Sequence, residues 1–418
     1  MNFTSDLLKK IDSKKATVGV VGLGYVGGAL SEATSFQGFP TIGFDIDKNV
    51  ITHSNNKNLS NLLATLDKKF IVSSDIVCIC VPTPTNKDNS PNFAFFENAI
   101  REVTNYLVRG QLIIIESSVT PGTVRNLALP ILEESDLKVG KDFFLGYAPE
   151  RIDPGNEKFT YRNIPKVVSG FDKQSLRLTS QFYSKLVDQV VPVSEIEVAE
   201  MTKFLENVFR MVNISFINEL SDYAKAKGID ILETINAAAT KPFGFLPHYP
   251  GPGAGGDCIP VVSYYLLEDA KRQSVSLKMV DAAMKVNEER SRMISEKVTQ
   301  VINHRVNGEI KPKKPKILIV GVAYKAGSDN IRNSVSLKVW EHLEILGAEI
   351  SYHDPFVPKV NGHSSIPLTE KNISEHDAII IATDHKDVQY QALVKSKKPI
   401  VDTRNVLTNY RLPHIIRI

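Results

Sequence analysis

Only three cysteines, Cys78, Cys80 and Cys258, occur in 418 residues. That is too few for a disulfide framework and fits a reducing compartment. An excess of charge of one sign is also missing: 50 Lys and Arg against 47 Asp and Glu leave +3. Such a balance offers neither nucleic acid nor an anionic membrane surface a field to bind. No apolar run approaches the ~20 residues that span a bilayer. The opening Met1–Lys10 has no apolar core of signal-peptide length, and low-complexity tracts are absent. What is present is an ordinary globular composition, 42% apolar and 23% charged, with length for two or three domains. A cytoplasmic protein is expected. Neither nucleic acid nor membrane is an expected partner, and no metal is called for.

Short apolar runs bounded by turns read as strands: Thr17–Val21, Thr41–Asp45, Asp75–Val81, Gln111–Glu116 and Phe143–Tyr147. Helical patterns lie between several of them, and that alternation argues a parallel, doubly wound sheet. Cys78 and Cys80 alternate along one run and read as buried packing on one face. From Ser194 to Lys227 the pattern changes. Val198, Met201, Leu205, Val208, Val212, Phe216 and Leu220 recur at three- and four-residue steps. They predict a long amphipathic helix, stopped by Gly228. Further helices are expected over Asp230–Ala239 and Ser276–Asn303. A basic linker, Lys311–Lys316, reads as a solvated connector. A second alternating series follows at Ile317–Gly321, Glu349–Asp354, Ala378–Ala382 and Pro399–Asp402. The expected fold class is α/β, two Rossmann-like doubly wound parallel-sheet domains joined by a helical spine. Their expected bounds are 1–193, 194–310 and 311–418.

Gly22-Leu-Gly24-Tyr25-Val26-Gly27 follows a predicted strand and opens a predicted helix. Such glycines permit a tight turn, close approach of a pyrophosphate and close helix–strand packing. The phosphates would sit on the helix N-terminus. Asp45, 18 residues after Gly27, ends the next strand, where a carboxylate binds ribose hydroxyls and repels a 2′-phosphate. NAD is therefore expected over NADP. Val81-Pro-Thr-Pro84 is the loop at a strand's carboxyl end, where ligands gather in such sheets. Far downstream, Cys258 follows Lys241–Gly256, a run so rich in Gly and Pro that neither helix nor strand is expected. A thiol held open in such a loop is a candidate nucleophile.

Taken in order, these and other motifs resemble the UDP-glucose/GDP-mannose dehydrogenase family, the nucleotide-sugar 6-dehydrogenases. The resemblance covers nearly the whole chain. It rests on Gly22–Gly27, Val81–Pro84, Glu116-Ser-Ser-Val-Thr-Pro-Gly-Thr123, Ala148-Pro-Glu-Arg151, Lys203-Phe-Leu-Glu-Asn207 and Asn218-Glu-Leu220. It continues through the Cys258 loop and Gly321-Val-Ala-Tyr-Lys325 followed by Arg332. Lys241-Pro-Phe-Gly-Phe245 with Pro250-Gly-Pro-Gly253 is most similar to the UDP-N-acetylglucosamine 6-dehydrogenase branch. The resemblance implies oxidation of a UDP-sugar CH2OH to a carboxylate with two NAD, through a thiohemiacetal and a thioester on Cys258. It implies Lys203 and Asn207 as oxyanion donors, Glu150 as base or water-positioning group, and Ser118 as a water-positioning hydroxyl. Near the cofactor it places Gly22, Gly24, Tyr25, Val26, Gly27, Asp45, Lys48, Thr83, Ser118, Glu150 and Arg332. Near the substrate it places Glu150, Arg151, Lys203, Asn207, Tyr249, Gly251, Gly255 and Lys325. It also implies a homodimer packed on the spine helix, whose apolar stripe could equally pack the chain's own lobes. The chain departs from the family's pattern where an Asp usually stands four residues after the cysteine: here it is Val262, and Asp257 precedes the cysteine. A slow enzyme is the expected consequence; the alternatives are a UDP-glucose 6-dehydrogenase, or a weakly active or non-catalytic nucleotide-sugar-binding homologue because of Val262.

Overall fold

The computed structural model describes residues 2–153, 156, 158–305 and 314–418. Lys311–Lys313 of the expected linker, and the domain boundary drawn there, lie outside the described residues. The strands are β1 Val18–Val21, β2 Thr41–Phe44, β3 Leu62–Thr65, β4 Ile76–Ile79, β5 Leu112–Ile115, β6 Phe144–Tyr147, β7 Lys166–Gly170 and β8 Val190–Pro192. After the helical middle come β9 Lys316–Val320, β10 Glu349–His353, β11 Lys359–Val360, β12 His363–Ser364, β13 Ala378–Ile381, β14 Ile400–Asp402 and β15 Ile415–Arg417.

The first eight form one sheet in the order β3-β2-β1-β4-β5-β6-β7-β8. The order reverses between β1 and β4, the crevice where open α/β sheets bind ligands. Strands β1, β4, β5 and β6 are buried at every position, as expected of strands covered on both faces. Two apolar clusters cover this sheet. Val77, Ile79, Ile113 and Ile115 pack into one, and Val18, Val20, Ile76, Cys78 and Cys80 into the other. The paired cysteines therefore serve as packing. One feature departs from the expected all-parallel pattern: β7 runs antiparallel to β6. A parallel return needs a crossover, usually a helix, and no helix lies among the described residues between Tyr147 and Lys166.

The second sheet is parallel throughout, in the order β10-β9-β13-β14-β15. It has its own two clusters, one around Trp340 and Tyr352, the other around Ile379, Ile381 and Leu393. The chain is thus α/β with two doubly wound sheets. It separates into two compact units, Met1–Glu206 with Tyr264–Asp269, and Asn207–Ser263 with Ala270–Ile418.

The spine helix spans Ile196–Ala226. Periodicity left the apolar stripe open to a partner or to the chain's own lobes, and most of it is uncovered within the chain. Val198, Met201, Leu205, Phe216 and Leu220 of the predicted apolar stripe are exposed, at 37% or more. The covered face carries Ala199, Phe204, Met211 and Ile217, and with them Glu200, Lys203, Asn207, Ser215 and Asn218. A 3.6-residue period identifies a helix, but where both faces carry apolar residues it does not say which one is covered. Among the described residues no helix is long and apolar enough to cross a membrane.

Candidate active site

In the first unit the turn after β1 has the shape that its glycines allow. Gly22 has φ +87°, and a Cβ there would come 2.9 Å from the Cys80 carbonyl oxygen. A Cβ on Gly27 would collide with the Gly22 carbonyl, whereas one on Gly24 would meet nothing within 4 Å. The first and third glycines are thus packing requirements, and the second leaves open space. The helix Tyr25–Phe36 starts at Gly24 with no side chain capping its N–H groups, so they stay available to phosphate oxygens. Asp45 follows β2. Its Oδ2 accepts from Leu23 N at 2.8 Å and its Oδ1 from Asp47 N at 3.0 Å. It remains partly exposed, as does Val26 of the turn, and Lys48 is exposed. Open turn, uncapped helix and half-open acid fit a dinucleotide. NAD held there would supply a hydride acceptor, and the acid and the bare N–H groups would orient its ribose and phosphates.

Thr83 and Ser118 lie together. Thr83 Oγ1 donates to the Ser118 carbonyl oxygen at 2.8 Å, joining the loops after β4 and β5. The second loop is anchored from the spine. Glu200 accepts Gly122 N at 2.6 Å and Val124 N at 2.9 Å. Burial outweighs those two bonds and pushes its carboxyl up to about 7.

Glu150, in the turn after β6, is almost enclosed. Its Oε1 accepts from Arg151 N (2.6 Å) and Ile152 N (2.7 Å), its Oε2 from Lys166 Nζ (2.7 Å). Burial raises its pKa most strongly, but the Lys166 charge and bond and the two N–H donors together hold it below the usual carboxylate range. Lys203 Nζ donates to the Glu150 main-chain oxygen at 2.5 Å. Arg151 pairs with Glu206 at 2.6 Å and donates to the Pro165 carbonyl at 2.7 Å. Glu150, Arg151 and Lys203 are therefore brought together. Lys166 was missed by the sequence reading. Its partners lie 50 and 16 residues away in sequence, so no local pattern could have found it.

Asn207 is one turn beyond Lys203 on the spine helix and 5% exposed. Its Nδ2 is buried with no hydrogen-bond partner among the described residues. A buried amide donor left open is costly, and the cost is removed when a ligand oxygen takes the bond.

In the second unit the segment Thr240–Gly256 forms turns and irregular backbone, as its glycines and prolines require. It is firmly held. Asn218 Oδ1 accepts Gly251 N at 2.8 Å, the buried Arg290 donates to Gly251 O at 3.1 Å, and Asn287 bonds both Ala254 N and Ala254 O. Arg290 is itself fixed by Asp222 at 2.9 Å. Gly255 lies against Asn333 and Val335, where a Cβ would come 2.6 Å from the Asn333 carbonyl. Tyr249 is exposed and donates to Asn236 Oδ1 at 3.1 Å. Cys258 stands two residues past this segment, immediately before the helix Ile259–Arg272, and is exposed. Val262, whose N–H bonds the Cys258 carbonyl, is only 2% exposed. Asp257 faces Arg332 and Asn330 instead, each at 3.4 Å. Lys325 follows Gly321-Val-Ala-Tyr at the end of β9, partly buried.

The bare glycine turn with its half-open acid in the first unit is the arrangement of a dinucleotide-dependent oxidoreductase. Similarity to known proteins narrows this class. Profiles of the UDP-glucose/GDP-mannose dehydrogenase family match in three stretches: the NAD binding domain at residues 53–187, the central domain at 197–289 and the UDP binding domain at 318–409. The chain belongs to that family and is an NAD-dependent UDP-sugar dehydrogenase. The UDP-N-acetyl-D-mannosamine dehydrogenase of Pyrococcus horikoshii is 32% identical, over 96% of this chain and 98% of that one. The UDP-N-acetyl-D-glucosamine 6-dehydrogenase of Salmonella typhi is 31% identical, over 93% and 96%. The solved structure of the Pyrococcus horikoshii UDP-D-ManNAc dehydrogenase superposes with a TM-score of 0.86 at 30% identity, covering 96% of this chain and 99% of that one.

Proposed function

We propose that the chain oxidises the C6 hydroxyl of a UDP-N-acetylhexosamine to the uronic acid, through a thiohemiacetal and then a thioester on Cys258. The observation that carries this reading is the thiol itself, exposed at the end of a loop braced at Gly251 and Ala254. The N-acetyl preference rests on relatives of two kinds, mannosamine and glucosamine, at 32% and 31% identity. Cys258 adds to the sugar aldehyde. Lys203 and the open amide of Asn207 donate to the oxyanion, a role in which one donor typically contributes about 10²–10³ in kcat. Glu150 takes a proton from water at hydrolysis, with Ser118 positioning that water. Gly22, Gly24, Tyr25, Val26, Gly27, Asp45, Lys48, Thr83 and Arg332 serve the cofactor. Arg151, Tyr249, Gly251, Gly255 and Lys325 serve the UDP-sugar.

The segments 1–193, 194–310 and 311–418 are read as cofactor, central and UDP-sugar parts. The exposed stripe of Val198, Met201, Leu205, Phe216 and Leu220 is read as a homodimer surface. Val262 favours a second reading, a nucleotide-sugar-binding homologue with little or no turnover. Counting NADH per sugar across UDP-N-acetylmannosamine, UDP-N-acetylglucosamine, UDP-N-acetylgalactosamine and UDP-glucose tests both. Two NADH per N-acetylhexosamine supports the proposal. Tight binding with no NADH from any of them refutes it in favour of the weak homologue.

A further inference from the structure

Lys166 is the most deeply buried ammonium of the first unit, and the proposed chemistry gives it no task. It opens β7, and the antiparallel pairing of β7 with β6 sets it beside the ends of β5 and β6. Its Nζ stands 2.8 Å from Glu116 Oε2 and 2.7 Å from Glu150 Oε2, with only 4% of the side chain exposed. The rings of Tyr161 and Tyr183 close in at 5.6 and 5.1 Å, a favourable setting for a cation out of water. Tyr183 Oη donates to the other oxygen of Glu116 at 2.5 Å. We propose that Lys166 is a positioning residue for Glu150: it fixes one oxygen of that carboxylate and supplies its counter-charge, without touching substrate. The inference rests on the hydrolytic role proposed above for Glu150.

Two carboxylates share one ammonium, so their surroundings decide how they differ. Glu116 is fully enclosed, and burial raises it, against the opposing Lys166 charge. Glu150, at 9% side-chain exposure, has two backbone donors besides Lys166, and its net displacement is downward. The other groups facing the cluster do not supply a second counter-charge to the carboxylate. The Cys78 and Cys80 thiols of the β4 segment are held neutral by burial first and by Glu116 next. Burial and then Glu116 likewise keep the Tyr161 and Tyr183 hydroxyls protonated. The Lys203 ammonium bonds the Glu150 main-chain oxygen and the Arg151 guanidinium pairs with Glu206, so neither side chain bonds the carboxylate itself. Two neighbouring acids pushed apart in this way are how one site separates a proton acceptor from a proton holder.

At hydrolysis the water oxygen bonds to the thioester carbon and the C–S bond breaks. Its electron pair leaves on the Cys258 sulfur, and one water proton passes to Glu150. Lys166 keeps Glu150 able to receive that proton at neutral pH. Uronic acid formation is followed from about pH 3 to 9 with UDP-N-acetylmannosamine and NAD, so that an acidic limb set by a carboxylate held below its usual range falls inside the window. Lys166→Met is expected to move that limb to higher pH by about one unit or more, the usual size for loss of an opposite charge at contact range. Lys166→Arg keeps the charge and should keep the limb in place. Glu116→Gln leaves the ammonium to Glu150 alone, so its limb stays or moves to lower pH. NAD affinity is unchanged in all three. A uniform loss of rate with no displacement in Lys166→Met overturns the inference. So does an upward displacement in Glu116→Gln, a variant that serves even if Lys166→Met does not fold. Glu150→Gln separates the two levels. If it still forms acid at the wild-type rate, the Glu150 role falls and the inference with it. If it is inactive while Lys166→Met keeps the wild-type profile, only the inference falls.

Discussion

Asp45 and Asp354 hold matching places in the two sheets. Each follows the second strand of its lobe and turns its carboxylate onto N–H groups of the loop after the first strand. Asp45 has two backbone donors and stays partly open. Asp354 is 3% exposed and accepts five bonds: Val322 N at 2.7 Å, Ala323 N at 3.1 Å, Phe356 N at 2.9 Å, Val357 N at 3.0 Å and His385 Nε2 at 3.1 Å. His385 Nδ1 accepts from Gly327 N at 3.1 Å, which places the imidazole proton on Nε2, facing the acid. The turns differ in the same sense. The first has room at Gly24, while the second carries the fully buried Val322 and Ala323. One frame thus suits a cofactor cradle where the turn is bare and the acid half-satisfied. It serves as a structural tie where side chains and an imidazole fill it.

This contrast can be broken by paired substitutions. Asp354→Asn puts an amide against backbone donors in the interior. We expect a loss of about 3 kcal/mol or more in stability, the upper range for bonds to a charged group, with NAD affinity retained; denaturant unfolding and calorimetry read the two quantities. Burial acts first to raise Asp354, but its His385 and backbone bonds hold it below the usual range. Its contribution is therefore present above the ordinary carboxylate pKa of about 3.9 and is lost as pH falls. The gap between wild type and Asp354→Asn should accordingly narrow in acid. Asp45→Asn should do the reverse, weakening NAD by roughly 10-fold or more at about 1.4 kcal/mol per decade, with little change in unfolding. Equal effects of the two on NAD affinity would refute the contrast.

Val262→Asp restores a carboxylate one turn from the thiol at a 2% exposed position. A buried unpaired charge is costly, so the melting temperature should fall while turnover per folded chain rises. The smallest effect belongs to Asp257→Asn. Its pairing with Arg332 is long, at 3.4 Å, and both side chains are exposed. Such pairs contribute about 0–1 kcal/mol, so kcat should change by less than roughly fivefold. A large loss would mean that Asp257 has taken over the missing acid's role.

Much of the frame was legible in the sequence. β1, β2, β4, β5, β6 and β9 are short apolar runs ended by turn residues, and Gly22–Gly27 and Asp45 stand where local spacing put them. The antiparallel β7 was not legible, because Lys166-Val-Val-Ser-Gly170 is brief and begins with a charge. Nor was the covered face of the spine. Its period left the apolar stripe to a partner or to the chain's own lobes, and the structure buries Glu200, Lys203 and Asn207 on the other side. Long-range pairing decides both, and no window of sequence contains it. The same holds for the brace on the cysteine loop, where Asn218, Asn287 and Arg290 come from two distant helices.

The accessibility of the three thiols turns the protein into its own counting device. Cys258 is exposed, while Cys78 and Cys80 are sealed in the first sheet's packing. A thiol-specific chromophore added to the native protein should therefore release one equivalent quickly, and a denatured sample should release three. The ratio reports the fraction of chains whose Cys258 thiol is intact, independently of how slowly they turn over. A preparation damaged by oxidation at Cys258 can thus be told apart from one that is intact but intrinsically slow.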